Sequence, residues 1–297
     1  MSNACDNNVT PRATQVAVVQ HSAGTDVEHN LSTLETLSSQ AASEGAQLIT
    51  WAEAFAYLGR HNGKKEILEP LPGGGPILQR CQALAVKLNC DLLLGGFHEA
   101  MPGDPDRCYN TSVYLNSQGE ITATYRKIHL FDVSIPNGPQ LMESKQTGPG
   151  DKAVCVDSLM GTLGLTVCYD LRFPALYQRL VAMGAVALTV PSAFTATTGA
   201  AHWHALLRAR AIESQSYVIA PAQHGAHSAN RASYGHSIII DPWGEVIAEL
   251  PQGDGYAIAK VDPARVADIR RQVPSLANQR PFTWDPINSG NRNEQRP

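Results

Sequence analysis

The sequence predicts an α/β protein organised as a four-layer α-β-β-α sandwich, with two mixed sheets and helices outside each. Three observations predict it. Strand-like and helix-like runs alternate through the N-terminal half in the rhythm of parallel βαβ units. Residues 109–115 and 121–127 both read as strands and flank Asn116-Ser117-Gln118-Gly119; these turn residues mark a hairpin and make part of that sheet antiparallel. A second βαβ unit begins near Gly164 and further strands follow it, which fits two sheets better than one open sheet.

Each element has its own signal. Thr14-Gln15-Val16-Ala17-Val18-Val19-Gln20 is a buried-strand candidate, and residues 26–42 carry apolar side chains at helical spacing behind a capping Asp26. A strand from Leu48 ends in Trp51-Ala52-Glu53-Ala54-Phe55. After the Gly/Pro-rich turn at residues 71–76, a helix to about residue 87 leads into a buried strand over residues 91–97. Beyond the hairpin, residues 128–151 form a long segment rich in Gly, Pro and polar residues; loops of that length are commonly functional, and this one is expected to wall a site. Then follow a strand into Cys168, a helix over 174–183, a strand over 185–190 and a helix over 202–214. Strands at 217–220, 236–240, 245–250 and 256–261 complete the pattern, the turn Asp241-Pro242-Trp243-Gly244 joining two of them. One domain over residues 14–266 is expected, with a C-terminal extension over 267–297 whose polar end is a tail or a partner-binding arm.

Bulk properties narrow the function classes. Of 297 residues, 43% are hydrophobic and 17% charged, and 27 acidic against 23 basic side chains give a net charge of −4. No Lys/Arg cluster suggests a nucleic-acid groove, and no apolar run is long enough to span a bilayer. The six cysteines are scattered without C-x-x-C pairs or zinc-finger spacing, so reduced thiols and a cytoplasmic location are expected. The first ten residues lack the apolar core of a signal peptide.

Three residues carry the chemistry. Cys168 ends the run Gly164-Leu165-Thr166-Val167-Cys168 and precedes Tyr169-Asp170-Leu171-Arg172-Phe173-Pro174, a strand-to-helix junction where a helix N-terminus would favour thiolate. Alone, such a cysteine reads as a small buried hydrophobe. Glu53 stands at the C-terminal end of a strand, the edge where α/β proteins bind ligands, and Lys127 is delivered by a strand into a loop. Each alone reads as a surface charge.

Together, Glu53-Ala54-Phe55, Tyr125-Arg126-Lys127-Ile128-His129 and Cys168-Tyr169-Asp170 resemble, in the same order, the motifs of the nitrilase superfamily of carbon–nitrogen hydrolases. The likeness covers residues from about 15 to about 281; Trp51-Ala52 departs from it where many members carry a proline. The resemblance implies a cysteine amidase: Glu53 as general base and acid, Cys168 as nucleophile, Lys127 with the Tyr169 N–H on the oxyanion, and Glu143 as a second glutamate positioning the group. Two carboxylates beside one lysine are expected to be driven apart in pKa, one of them able to hold a proton near neutrality.

Arg172 is a candidate carboxylate clamp or an internal partner of Asp170. Phe194 and Thr198, placed in the loop after the 185–190 strand, are candidate pocket residues. His202 and His204 are read as helix-surface side chains, since i and i+2 face different ways and no third metal ligand stands at suitable spacing. No metal and no nucleotide cofactor is expected: Gly73-Gly74-Gly75 lacks the lysine of a phosphate loop. The implied partners are a small anionic amide and a second copy of the chain, paired through the helices near Cys168. The three motifs alone leave nitrile, aliphatic amide, ω-amide and carbamoyl substrates open. A scaffold role without catalysis is the alternative from another class, and the intact trio argues against it.

Overall fold

In the computed structural model, which describes residues 10–134, 140–228 and 231–283, the first apolar run forms β1 (Thr14–Gln20). Asp26 caps α1 (Val27–Ser43), its carboxylate accepting from the His29 N–H at 3.0 Å. β2 (Leu48–Thr50) follows, then the short α2 (His61–Lys65) and α3 (Pro76–Leu88). Pro76 opens α3 without losing a bond, since first-turn N–H groups have no helical partner. β3 (Asp91–Ala100), β4 (Cys108–Leu115) and β5 (Ile121–Arg126) come next, with the expected hairpin between β4 and β5. The long segment holds a two-stranded piece, β6 (Asp132–Ser134) and β7 (Gln140–Met142), and then β8 (Thr147–Gly148).

The second half contributes β9 (Val154–Ser158), β10 (Gly161–Leu165), α4 (Pro174–Ala182), β11 (Ala187–Thr189) and α5 (Ala196–Ser214). It ends with β12 (Tyr217–Ala220), β13 (His224–Ser228), β14 (Arg231–Tyr234), β15 (Ser237–Ile240), β16 (Val246–Leu250), β17 (Gly255–Val261) and α6 (Pro263–Gln272). One sheet runs β17-β1-β2-β3-β4-β5, with β8 on β4; the other runs β16-β15-β12-β11-β10-β9. Both are mixed: β1, β2 and β3 are parallel neighbours, as are β10, β11 and β12, and the flanking strands are antiparallel except β8, which runs parallel to β4.

Alternation along each strand sorts the side chains into two cores. Ala17, Val19, Ile49, Leu92 and Leu94 face Leu31 and Leu34 of α1 and Leu78 of α3. Their neighbours Val16, Val18, Leu48 and Leu93 face inward, in one core with Leu163, Leu188, Val218 and Ile239 of the second sheet. That core continues to Tyr177 and Leu180 of α4 and to Trp203 and Leu207 of α5, completing the four layers. Burial on both faces explains why these strands read as unbroken apolar runs.

Element ends differ from expectation. α5 begins at Ala196, six residues before the expected start, because Ala196-Thr197-Thr198-Gly199-Ala200-Ala201 has no apolar stripe to reveal it. β2 stops at Thr50, and Glu53 stands three residues beyond the strand that was expected to contain it. The boundary set at residue 266 falls within α6, whose Val266 and Ile269 are buried. The 288–297 tail lies outside the described residues. No helix among the described residues is long and apolar enough to cross a membrane.

Candidate active site

Glu53 is placed by a close approach of backbones. The chain leaving β2 lies on β3 at a bulge between Leu94 and Phe97, where Gly95 and Gly96 have no side chains to hold it off. A Cβ on Gly95 would stand 2.0 Å from the Trp51 carbonyl oxygen, and one on Gly96 would stand 2.9 Å from the Glu53 Cα. Ala54 then adopts φ of 56°, turning the chain so that the carboxylate faces inward. Glu53 Oε1 accepts from Lys127 Nζ at 2.9 Å and Asn110 Nδ2 at 2.8 Å, and Oε2 accepts from the Ala193 N–H at 2.8 Å.

Lys127 leaves β5 with its N–H on the Asn110 carbonyl at 2.8 Å, and its side chain is 2% exposed. Its ammonium also reaches Glu143 Oε2 at 2.9 Å. Glu143 in turn accepts from the Phe131 N–H at 2.7 Å and from Asn110 Nδ2 at 3.3 Å. Burial alone would lower the lysine; the charges of Glu143 and Glu53 outweigh it and raise it well above its ordinary value. Burial would likewise raise Glu53, but the charge and hydrogen bond of Lys127, helped by the Cys168 thiol and the Ala193 N–H, hold it below the usual carboxylate range. Glu53 therefore rests ionised, and the expectation that one carboxylate holds a proton near neutrality is not met by it.

Cys168 follows β10 and adopts φ of 49°, a left-handed backbone with its N–H on the Pro191 carbonyl at 2.9 Å. The helix N-terminus expected to favour its thiolate is not there. A 3₁₀ turn, Cys168–Arg172, intervenes and α4 starts only at Pro174. Burial, and then the neighbouring charge of Glu53, instead push the thiol well above its ordinary value. The elbow is tied to the lysine segment through Asp170, which is fully buried. Asp170 accepts from Tyr125 Oη at 2.7 Å, from the Val167 N–H at 2.9 Å and from the His129 N–H at 3.1 Å, with His129 Nδ1 at 2.7 Å.

These contacts remove Asp170 as a partner for Arg172. The Arg172 guanidinium lies 5.0 Å from the Phe194 ring centroid and 3.3 Å from His202 Nδ1, and Arg172 does not line the cavity. Glu53, Lys127, Glu143 and Cys168 all face one cavity of about 400 Å³. Tyr169, Phe194 and Thr198 line it as well; Thr198 does so from the first turn of α5 rather than from a loop. The long segment walls it with Phe131, Leu141, Met142 and Thr147.

Several lining residues had not been singled out. Asn110, which bonds both carboxylates, carried only a faint signal, an amide in a strand that also holds Thr111 and Ser112. Tyr57, Lys64 and His98 carried none, and Lys145 and Arg231 stood only beside Glu143 and at the head of a branch-like segment, because separate segments bring these residues in. His204 also differs from expectation. The fold brings it a carboxylate from a distant strand: Glu249 Oε1 lies 2.9 Å from His204 Nε2 and 2.7 Å from His236 Nδ1. The three ligand-type atoms lie within 4.8 Å of one another on the surface, away from the cavity.

Known proteins resemble this chain in sequence and fold. The family model described as carbon-nitrogen hydrolase matches residues 15–271. The chain is 44% identical over 270 residues to human "Deaminated glutathione amidase", covering 90% of this chain and 82% of that one. It is 40% identical over 265 residues to the protein of that name from Synechocystis sp. (strain PCC 6803 / GT-S), covering 89% and 97%. A solved Saccharomyces cerevisiae structure, described as a member of branch 10 of the nitrilase superfamily, superposes with a TM-score of 0.82 at 32% identity, over 91% of this chain and 97% of that one. The fold, the family match and these relatives agree that the chain belongs to the carbon–nitrogen hydrolase family, within the nitrilase superfamily, and is a hydrolase of carbon–nitrogen bonds other than peptide bonds.

Proposed function

We propose that the protein is an amidase that hydrolyses deaminated glutathione to 2-oxoglutarate and cysteinylglycine through a thioester on Cys168. The observation carrying the chemistry is the ammonium of Lys127 held 2.9 Å from both Glu53 and Glu143, in one cavity with Cys168. Glu53 is ionised and the thiol protonated at rest, so proton transfer accompanies attack: the Cys168 proton moves to Glu53 as sulfur bonds to the carbonyl carbon. Negative charge then moves onto the carbonyl oxygen, where Lys127 and the Tyr169 N–H stabilise it; one such donor is worth about 3 kcal/mol. Glu53 returns the proton to nitrogen as the C–N bond breaks. Water, deprotonated by Glu53, cleaves the thioester and the thiol is regenerated.

The substrate reading is supported by the human and cyanobacterial relatives, and by segments such as Pro191-Ser192-Ala193-Phe194 and Arg231-Ala232-Ser233-Tyr234-Gly235-His236 that look like that branch. A cavity of about 400 Å³ also suits a leaving group larger than ammonia. The test compares kcat/KM on deaminated glutathione and on 2-oxoglutaramate with one preparation. The first is expected to exceed the second, and the reverse order would make the protein an ω-amidase. Cys168→Ala should abolish turnover of both. The five described cysteines are free thiols, which supports a reducing compartment such as the cytoplasm. The same reading takes the protein as a homodimer through α4 and α5, where Met183 at the end of α4 and Ile212 are exposed; light scattering should return twice the chain mass.

A further inference from the structure

The cavity floor is one unit negative: Glu53 and Glu143 carry two charges against one on Lys127. Three more cations line the same cavity, Lys64, Lys145 and Arg231, and none has a carboxylate partner among the described residues. His98 does not add to them, since burial, then Lys64, hold its imidazole below its ordinary range, at about 3. As a whole the cavity is positive, and cations left unpaired around a concave site are set up to meet an anion.

Depth separates these three cations from the floor. Cys168 and Glu53 are each 7% exposed and form the floor. Lys64, on α2, is half-buried, and Arg231, which opens β14, and Lys145 are exposed, so all three stand at the rim. Lys64 and Arg231 come from α2 and β14, outside the long segment, whereas Lys145 ends the short 3₁₀ turn that carries Glu143. In an acyl-enzyme mechanism the acyl half stays at the floor on sulfur, while the amine must depart before water attacks. The leaving group therefore extends from the floor toward the rim.

We propose that Lys64 and Arg231 form a carboxylate-binding subsite for the leaving group, making the enzyme selective for amides whose departing amine carries a distal carboxylate, as the dipeptide cysteinylglycine does. This rests on the substrate reading above. A guanidinium offers a carboxylate two parallel N–H bonds and the ammonium adds a point charge. A free amide that releases ammonia presents nothing to either.

The test measures Lys64→Met, Arg231→Gln and the double variant on two substrates with the same acyl half. On deaminated glutathione, kcat/KM should fall about three- to fivefold for each single variant and about 10- to 20-fold for the double, mostly through KM, since rim charges are partly screened. On 2-oxoglutaramate it should stay within about twofold. KM for the dipeptide amide should rise with salt in the wild type and lose that dependence in the double variant. Equal losses on both substrates, or no loss on either, would overturn the subsite. Product inhibition separates its failure from that of the substrate reading. Cysteinylglycine should compete with whichever amide the wild type turns over, and should do so at least about tenfold less well in the double variant. The C-terminally amidated dipeptide should not distinguish the two proteins. If the wild type favours 2-oxoglutaramate yet cysteinylglycine still distinguishes the proteins, only the substrate reading falls. If it turns over deaminated glutathione and cysteinylglycine does not distinguish them, only the subsite falls.

Discussion

Cys168 and Glu53 are set against each other as acid and base, and that opposition makes a prediction in which two rates move apart. Burial and the Glu53 charge keep the thiol protonated, so alkylation by iodoacetamide should be slow and nearly flat between about pH 6 and 8, rising only toward higher pH. Glu53→Gln removes the neighbouring negative charge while Lys127 remains, which lowers the thiol. Hydrolysis should then drop by about 10²- to 10⁴-fold through loss of the proton carrier, while alkylation at pH 8 becomes faster. Slower alkylation in that variant would mean that Glu53 activates the thiol toward any electrophile. Glu143→Gln should cost less, since Glu143 bonds Lys127 and the Phe131 N–H but not the thiol's base.

At the scale of elements, the bare backbone of β3 sets the base. Gly96→Ala would put a methyl 2.6 Å from the Ala54 nitrogen and 2.9 Å from the Glu53 Cα, so the turn must shift. A displacement near 1 Å at a reacting group costs about 10²-fold. Activity should fall by at least tenfold, whereas Gly73→Ala, with open space around it, should leave it unchanged. The strands, the hairpin and most helices were legible because their periodicity is local, and Glu53, Lys127 and Cys168 were legible because each ends or follows a strand in a recognisable motif. Asn110 was visible only faintly, as an amide in a strand that also holds Thr111 and Ser112. Lys64 was not visible and Arg231 only as the start of a branch-like segment, because their meaning arises when α2 and β14 come to line one cavity. The thiol's protonation differs from expectation although the helix starts at Pro174 as the sequence predicts: a 3₁₀ turn separates Cys168 from that helix, and burial beside Glu53 dominates.

Across the whole molecule, three neutral histidines fasten the loop that carries Glu53 and the strands around it. His21 Nε2 meets the Phe55 carbonyl at 2.9 Å, His98 Nε2 meets the Tyr57 carbonyl at 2.9 Å, and His227 Nδ1 meets the Ala23 carbonyl at 2.9 Å. Burial lowers His21 and His227 to about 4 and His98 to about 3. Below pH 6.5 the unfolded chain binds protons that the folded one refuses, so stability is full above that value and falls as pH drops toward 4. Thermal unfolding at pH 7, 6, 5 and 4 should show Tm falling steadily, and His98→Gln should flatten the slope. An unchanged slope would show that His98 has no part in the acid limb.

The two sheets divide the machinery between them: Glu53 and Lys127 come from β2 and β5 of one, and Cys168 comes from β10 of the other. Turnover is thus a coincidence signal. A chain with one sheet formed and the other not holds either a base without a nucleophile or a nucleophile without a base, and the Ala193 N–H, which crosses from the second sheet to Glu53, is missing as well. Newly made or partly denatured molecules are therefore unarmed toward cellular amides, and in a denaturant titration catalysis should vanish no later than the first tertiary signal to change.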